Sequence, residues 1–453
     1  MDETRQLAEF IINIRFEDLK KDVVEKAKSL VLDQLGCQLA FANLPWSKAV
    51  YEYVRNNKTV KKESIITYYG FRTTAELAAF ANAVFGHGFE MDDTEMITAS
   101  HPGVAVIPSA LAAGEKENIS GKEFITAIVA GYDAMLRPGT ATKHMMMRGF
   151  HSTGVAGPLG SAAAAGKILK LDLGTMISAL GIAASESSGI TEFAVSGGSV
   201  KRLHAGLAAQ SGLRAALLAK LGITGPTAPL EGPKGFCHTF SDTYSIEEIT
   251  RDLGKEFRIM QVGNKPYCCC AAQHSVIDAG AKIQKERHIN PTEIQKIVIE
   301  QRPREAINVG NIILPQDIIA AQFSARFGLA LRLVKGSNGF RDYNENNLKD
   351  HQILKLVEKI DYVCDEKCEK LKVEVGPALV TISLQDGTTF KQQIDYAKGS
   401  IQNPMTQDEL ENKFGELVSN ILPTKHIETI IRTVRRLEEL SSIRNLADLL
   451  YQR

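Results

Sequence analysis

The apolar residues of this 453-residue chain change their spacing twice, and that change limits the folds open to it. Over residues 17–42, Leu19, Val23, Ala27, Leu30, Leu35 and Leu39 recur mostly at intervals of three or four, the spacing of one helix face. The same reading covers 74–85, 103–117, 121–136, 157–169 and 206–221. After about 258 the period falls to two. Ile297 and Ile299, then Leu371, Val373 and Val375, then Val380, Ile382 and Leu384 alternate with polar residues as half-buried strands do. Asp386-Gly387 reads as a hairpin turn joining 380–384 to 389–394. From Thr406 the helical period returns through Leu410, Phe414, Leu417 and Ile421, and continues from Ile427 to Leu437. The expectation is a mainly α protein. A large all-helical domain, 1–258 and 401–453, is interrupted by a smaller α+β lid domain, 259–400, and the tail packs back on the first domain.

Charge excludes some partners. Lys plus Arg and Asp plus Glu number 53 each, so the chain has no large basic field of the kind that nucleic acid or an anionic membrane selects. An anion must therefore be held by a local cluster. The opening Met1-Asp2-Glu3-Thr4 is acidic where a secretory signal is basic, and no stretch reaches roughly 18 uninterrupted apolar residues, so the expected location is cytoplasmic. Seven cysteines, an odd number without a signal, are read as reduced thiols.

Two motifs resemble cofactor sites and fail on their details. In residues 160–167 Ser161 stands where a phosphate loop needs its first Gly and Ile168 follows the Lys, so this stretch reads as tight helix packing. Neither Cys268-Cys269-Cys270 nor Cys364-x3-Cys368 has the Cys-x2-Cys pairing of zinc sites, so no metal is expected.

The densest polar cluster runs from Gly86-His87-Gly88-Phe89-Glu90 through Met91-Asp92-Asp93-Thr94-Glu95 to His101-Pro102-Gly103. It lies at the mouth of the helix starting near Gly103, where free amides and the helix dipole favour an anion. Three further segments set ionisable groups beside glycines in apparent breaks of the helical pattern: Arg148–Gly154 around His151, Ser196–Gly206 around Lys201 and His204, and Gly263–Cys270 around Lys265. One such segment reads as a solvated loop. Four in a mostly helical chain read as the walls of one pocket.

At these residues the chain resembles the MmgE/PrpD family, which includes 2-methylcitrate dehydratase, cis-aconitate decarboxylase and iminodisuccinate epimerase. The matching features are Asp33-x-Leu35-Gly36, Asp92-Asp93-Thr94, His101-Pro102-Gly103, Gly149-Phe150-His151, Lys201-Arg202-Leu203-His204-Ala205-Gly206, Gly222-Ile223-Thr224-Gly225-Pro226, Lys265-Pro266-Tyr267 and Gln322-Phe323-Ser324. The resemblance implies a homodimer and a cofactor-free site in a cleft between the two domains. Carried over by motif, His101, His151 and Lys201 are candidate catalytic residues and Asp93, Thr94 and Lys265 candidate substrate ligands; Cys270 joins the catalytic candidates and Glu90 the ligands from the positions where the chain departs from the family pattern. Two positions depart from the decarboxylase pattern. Glu90 replaces an Asp, and Cys270 stands where a histidine follows the lid lysine, which leaves room for an epimerase or another lyase.

The chemistry suited to such a set is proton transfer beside a carboxylate. Removing that proton piles negative charge on a group already anionic, so cations and donors must meet the carboxylate while a base sits over the carbon. The first expectation is a lyase that dehydrates or decarboxylates a small di- or tricarboxylate. The alternatives are an epimerase of an iminodisuccinate-like acid and a non-catalytic carboxylate-binding homologue.

Overall fold

The computed structural model describes residues 2–57, 59–364 and 376–451. It is mainly helical with a smaller α+β part. The strand expected at Leu371, Val373 and Val375, and the second half of Cys364-x3-Cys368, lie outside the described residues.

The chain divides into two compact units. The first comprises the residues up to Gly88, Asp92–Val262 and those from Thr406 onward; the second comprises Phe89–Met91 and Gly263–Met405. The three residues Phe89–Met91 therefore belong with the later unit, a detour that periodicity could not reveal.

In the first unit, helix Ser152–Ile168 is the centre, buried at every position except Lys167. Helices Gly121–Ala141, Gly103–Glu117 and Val200–Lys220 pack on it, and Ala75–Gly86 packs on the last two. Small residues permit the close approach. A Cβ at Gly160 would stand 2.7 Å from the Gly131 carbonyl, and one at Gly206 would stand 2.5 Å from Val84 and 2.8 Å from Phe80. The phosphate-loop look-alike is thus interior helix. Two helices begin earlier than expected, at Ser152 instead of 157 and at Val200 instead of 206. Gly154 and Gly206, read there as breaks in the helix, are instead points of close packing, whereas Gly149, Gly197 and Gly198 lie in turns ahead of the helices. One small departure from an all-helical unit is the hairpin Ser64–Ile66 with Phe71–Thr73, closed by the buried Asn82 amide, which donates to the Ile65 carbonyl and accepts from the Thr67 amide, both at 2.9 Å. Helix Gln407–Val418 lies on helix Lys21–Phe41, where Phe414 and Leu417 cover Gly36 and Lys413 pairs with buried Asp33.

Among the described residues, the second unit holds a four-stranded sheet in the order Ile360–Cys364, Ile294–Gln301, Ala378–Leu384, Thr389–Ile394. The first pair is parallel and the others antiparallel. Ile297 pairs with Ile382 and Ile299 with Val380, all buried, on a sheet against which helix His274–Arg287 packs. The turn at Asp386-Gly387 forms as expected: Gly387 has φ 88° and the Asp386 carboxylate accepts the Thr388 amide at 2.8 Å.

Candidate functional site

Asp92 organises the polar heart of the first unit. Its side chain is fully buried, and one oxygen, Oδ2, lies 2.9 Å from Nδ1 of His87 and 3.0 Å from Nδ1 of His101. The Asp93 carbonyl oxygen stands 2.8 Å from the same His101 atom. A carboxylate and a carbonyl can only accept, so each Nδ1 carries a hydrogen, and in the neutral ring the lone pair is then on Nε2. Helix ends and their neighbours set these positions. His87 is the last-turn cap of Ala75–Gly86, Arg202 reaches the adjacent Gly88 carbonyl at 3.5 Å, and the His101 amide donates to the Thr153 hydroxyl at 3.0 Å.

Two more histidines extend the row. His87 and His101 have ring centroids 4.8 Å apart, His87 and His151 are stacked at 6.2 Å, and His151 and His204 meet Nδ1 to Nδ1 at 3.0 Å with Phe193 edge-on to both. In that last contact one ring donates and the other accepts, so when both rings are neutral His151 and His204 hold opposite tautomers. Burial drives the His87 imidazole down to about 4 against the pull of Asp92, and it holds His151 well below its ordinary value. Lys201, buried in the first turn of helix Val200–Lys220, adds to this depression at His87, His151 and His204. Lys201 and His101 both act on the His87 and His151 rings, so these two residues, a hundred positions apart, belong to one cluster.

For the acidic loop the structure differs from expectation. The mouth of the Gly103 helix is occupied by the protein's own carboxyl group: both Asp93 oxygens lie 3.0 Å from the Gly103 amide, and Oδ2 accepts the Tyr132 hydroxyl at 2.7 Å. A site for an external anion there is filled from within, and Asp93 faces the helix start instead of presenting a free acceptor. Thr94 is half-buried, with its hydroxyl against the Met96 sulfur at 3.8 Å.

The two Nδ1 atoms and an Asp92 oxygen lie within 4.8 Å of one another, a donor set chemically able to hold a divalent ion and one the sequence reading did not anticipate. The distances of 2.9 and 3.0 Å, with the Asp93 carbonyl as a second acceptor at His101 Nδ1, fit hydrogens in that space, and a metal would need both Nδ1 atoms stripped of them.

Within the second unit, Lys265 pairs with Glu90 at 3.1 Å, and both side chains are about as buried as core residues. Glu90 is held at φ 55°, a left-handed conformation costly for a non-glycine residue. The Phe89 carbonyl accepts from the Cys268 thiol at 2.9 Å and the Gln322 amide at 3.1 Å, which fixes the 89–91 strand of chain beside the cysteines. Cys268 and Cys269 are buried, and burial pushes the Cys269 thiol far up; Cys270 is the more accessible of the three.

His87, Asp92, Tyr132 and His204 are members of this arrangement that were not among the candidate site residues, although Asp92 and His204 stand in the matching motifs.

Comparison with known proteins covers nearly the whole chain in two consecutive matches. The chain matches the MmgE/PrpD N-terminal domain over residues 5–249 and the MmgE/PrpD C-terminal domain over residues 267–439. It belongs to the MmgE/PrpD family. Similar proteins include the cis-aconitate decarboxylase of Aspergillus terreus (strain NIH 2624 / FGSC A1156), 27% identical with 99% of this chain and 95% of that protein covered. The cis-aconitate decarboxylase of Mus musculus is 29% identical over 99% of this chain and 93% of its own length, and that of Homo sapiens 28% over 99% and 94%. Among the described residues of this MmgE/PrpD chain, no helix is long and apolar enough to cross a membrane.

Proposed function

We propose that this MmgE/PrpD protein is a cofactor-free lyase that dehydrates or decarboxylates a small di- or tricarboxylate by proton transfer next to a carboxylate. The observation that carries the reading is the tautomer of His101: with Nδ1 held by two acceptors, Nε2 is a base, and it stands in a cluster that also contains the buried Lys201 ammonium. In this proposal His101 takes the proton from the carbon. Lys201 offsets the charge that develops on the enediolate, and His151, neutral at physiological pH, exchanges a proton with the departing or incoming group. Thr94, Lys265 and Glu90 remain candidates for holding the acid, on the strength of the family motifs in which they stand. Asp93 leaves that group because its oxygens are engaged at the helix start. The names of the similar proteins support a lyase and point first to cis-aconitate among the acids to be tried.

A second reading is an epimerase of an iminodisuccinate-like acid. Cys270, the accessible member of its triplet, favours it, because an inversion requires a proton donor for the second face of the carbon and a thiol can fill that role.

The test is to incubate the purified chain with cis-aconitate, citrate, 2-methylcitrate and an iminodisuccinate-type acid, following ultraviolet absorbance, released carbon dioxide and optical rotation. Stoichiometric change in conjugated double bonds or carbon dioxide supports the lyase. Inversion without either supports the epimerase, and inertness towards all four removes both.

A further inference from the structure

Asp92 makes an arrangement that motif matching does not explain. Its Oδ2 serves two imidazoles at once, at 2.9 and 3.0 Å, from a side chain closed to solvent, whereas its Oδ1 and the His87 Nε2 have no hydrogen-bond partner among the described residues. Holding an ionised carboxylate in such a place is costly, and two N–H donors on one oxygen are what offsets it. Burial acts to raise the Asp92 carboxyl, yet His87 and His101 hold it well below the usual range. The other ionisable groups around it are Asp93, Tyr132 and Cys37, which feel its charge, while Lys201 and His151 act at the same histidines.

We propose that Asp92 is a positioning residue for His101: through one shared oxygen it orients the ring with Nε2 outward, and its charge balances the imidazolium formed when His101 accepts a proton. This rests on the lyase reading above. The proton leaves the substrate carbon and bonds to Nε2, its electron pair stays on the carbon and spreads into the adjacent carboxylate, and the Nδ1 hydrogen stays between the ring, Asp92 and the Asp93 carbonyl. Because that carbonyl alone can keep the tautomer, the contribution specific to Asp92 is its charge, and the share reaching His101 depends on what His87 takes.

Two variants of the full chain separate these effects. Asp92→Asn removes the charge and keeps the shape; His87→Phe keeps a ring and leaves the carboxylate to His101 alone. His101 is followed by nitrogen-15 NMR, and turnover is measured on whichever acid is a substrate. The expected result is a His101 titration midpoint lower by about one pH unit or more in Asp92→Asn and higher in His87→Phe. In Asp92→Asn kcat falls about a hundredfold or more while KM changes little. An unchanged midpoint in both variants overturns the proposal, as does a shifted midpoint with unchanged kcat. If Asp92→Asn does not fold, the direction of the His87→Phe shift decides alone. A wild-type chain that turns over no acid sinks the lyase reading, and the titrations still show whether Asp92 acts on His101.

Discussion

Tyr132 donates its hydroxyl to the Asp93 carboxylate at 2.7 Å, with both side chains shut off from solvent and the first amide of helix Gly103–Glu117 on the same carboxylate. Burial pushes Asp93 from 3.8 up to about 7, with Asp92 adding to the rise and Tyr132 and Gly103 opposing it. The folded protein therefore keeps a proton on Asp93 at pH values where the unfolded chain has lost it. This contribution to stability is full below pH 3.8 and is lost as pH rises towards about 7. An Asn here retains an acceptor for Gly103, and its amide can donate to the tyrosine oxygen. Asp93→Asn should melt close to wild type at pH 5 and gain about a few degrees on it at pH 8. Thermal melts of both proteins at the two pH values check this, and a melting-temperature difference independent of pH would show that Asp93 does not titrate in that window.

Metal and organic cofactors should be dispensable. The phosphate-loop look-alike is packed helix, and the imidazole–carboxylate group around Asp92 has hydrogen-bond spacing. Dialysis against a chelator should leave turnover unchanged. Loss of activity restored by one divalent ion would place that ion at His87, Asp92 and His101.

A homodimer is expected from the family resemblance. The Ala- and Gly-rich helix Ser152–Ile168 is spent inside the first unit. Apolar side chains are instead exposed along and just beyond helix Val200–Lys220, at Val200, Leu207, Leu221 and Ile223, with Leu221 83% exposed. Light scattering should give a mass near twice 49.5 kDa, and Leu207→Glu with Ile223→Glu should lower it. A monomer at micromolar concentration contradicts the expectation.

Sequence showed the helical unit and the hairpin because their signals are local: a period of 3.6, a period of two, an Asp-Gly turn. It missed strand Ile360–Cys364, whose Asp361 and Cys364 spoil the alternation and whose place is set by parallel pairing to residues more than sixty positions earlier. It misplaced the starts of helices Ser152–Ile168 and Val200–Lys220 because glycine punctuates loops and also lets helices touch, and only the neighbour, Phe80 for Gly206, tells the two apart. His101, His151 and Lys201 were legible as motif residues. The pairing of His151 with His204, and the sharing of Asp92 by His87 and His101, depend on side-chain directions that no spacing in the sequence encodes.

Cys270→Ser should be mild for a lyase. Cys268 is tied to the Phe89 carbonyl and Cys269 is buried as a neutral thiol, so among the triplet Cys270 is the one open to small reagents. Within the triplet, brief alkylation followed by peptide mass analysis should label Cys270 first. A Cys270→Ser variant that folds normally and has lost all turnover would move the preferred reading to the epimerase, because only there does the thiol itself carry the proton.

Lys201→Ala should cut turnover far more than it weakens the fold. The lysine stands in the first turn of helix Val200–Lys220, beyond the Gly197-Gly198 turn, and its ammonium acts on three neighbouring imidazoles. A cation at a helix start, where the dipole is positive, meets an unfavourable field that a bound anion would relieve. Beside a di- or tricarboxylate the ammonium offsets the charge of the enediolate, and loss of one such preorganised group costs about a hundred- to a thousandfold in rate. Removing it also relieves His87, His151 and His204, so their titrations should move to higher pH in the free protein. The measurements are turnover, melting temperature and histidine NMR titration on the same variant. Near-normal turnover would remove Lys201 from the catalytic set even if the titrations shift, whereas a large fall in melting temperature would show that the lysine supports the core.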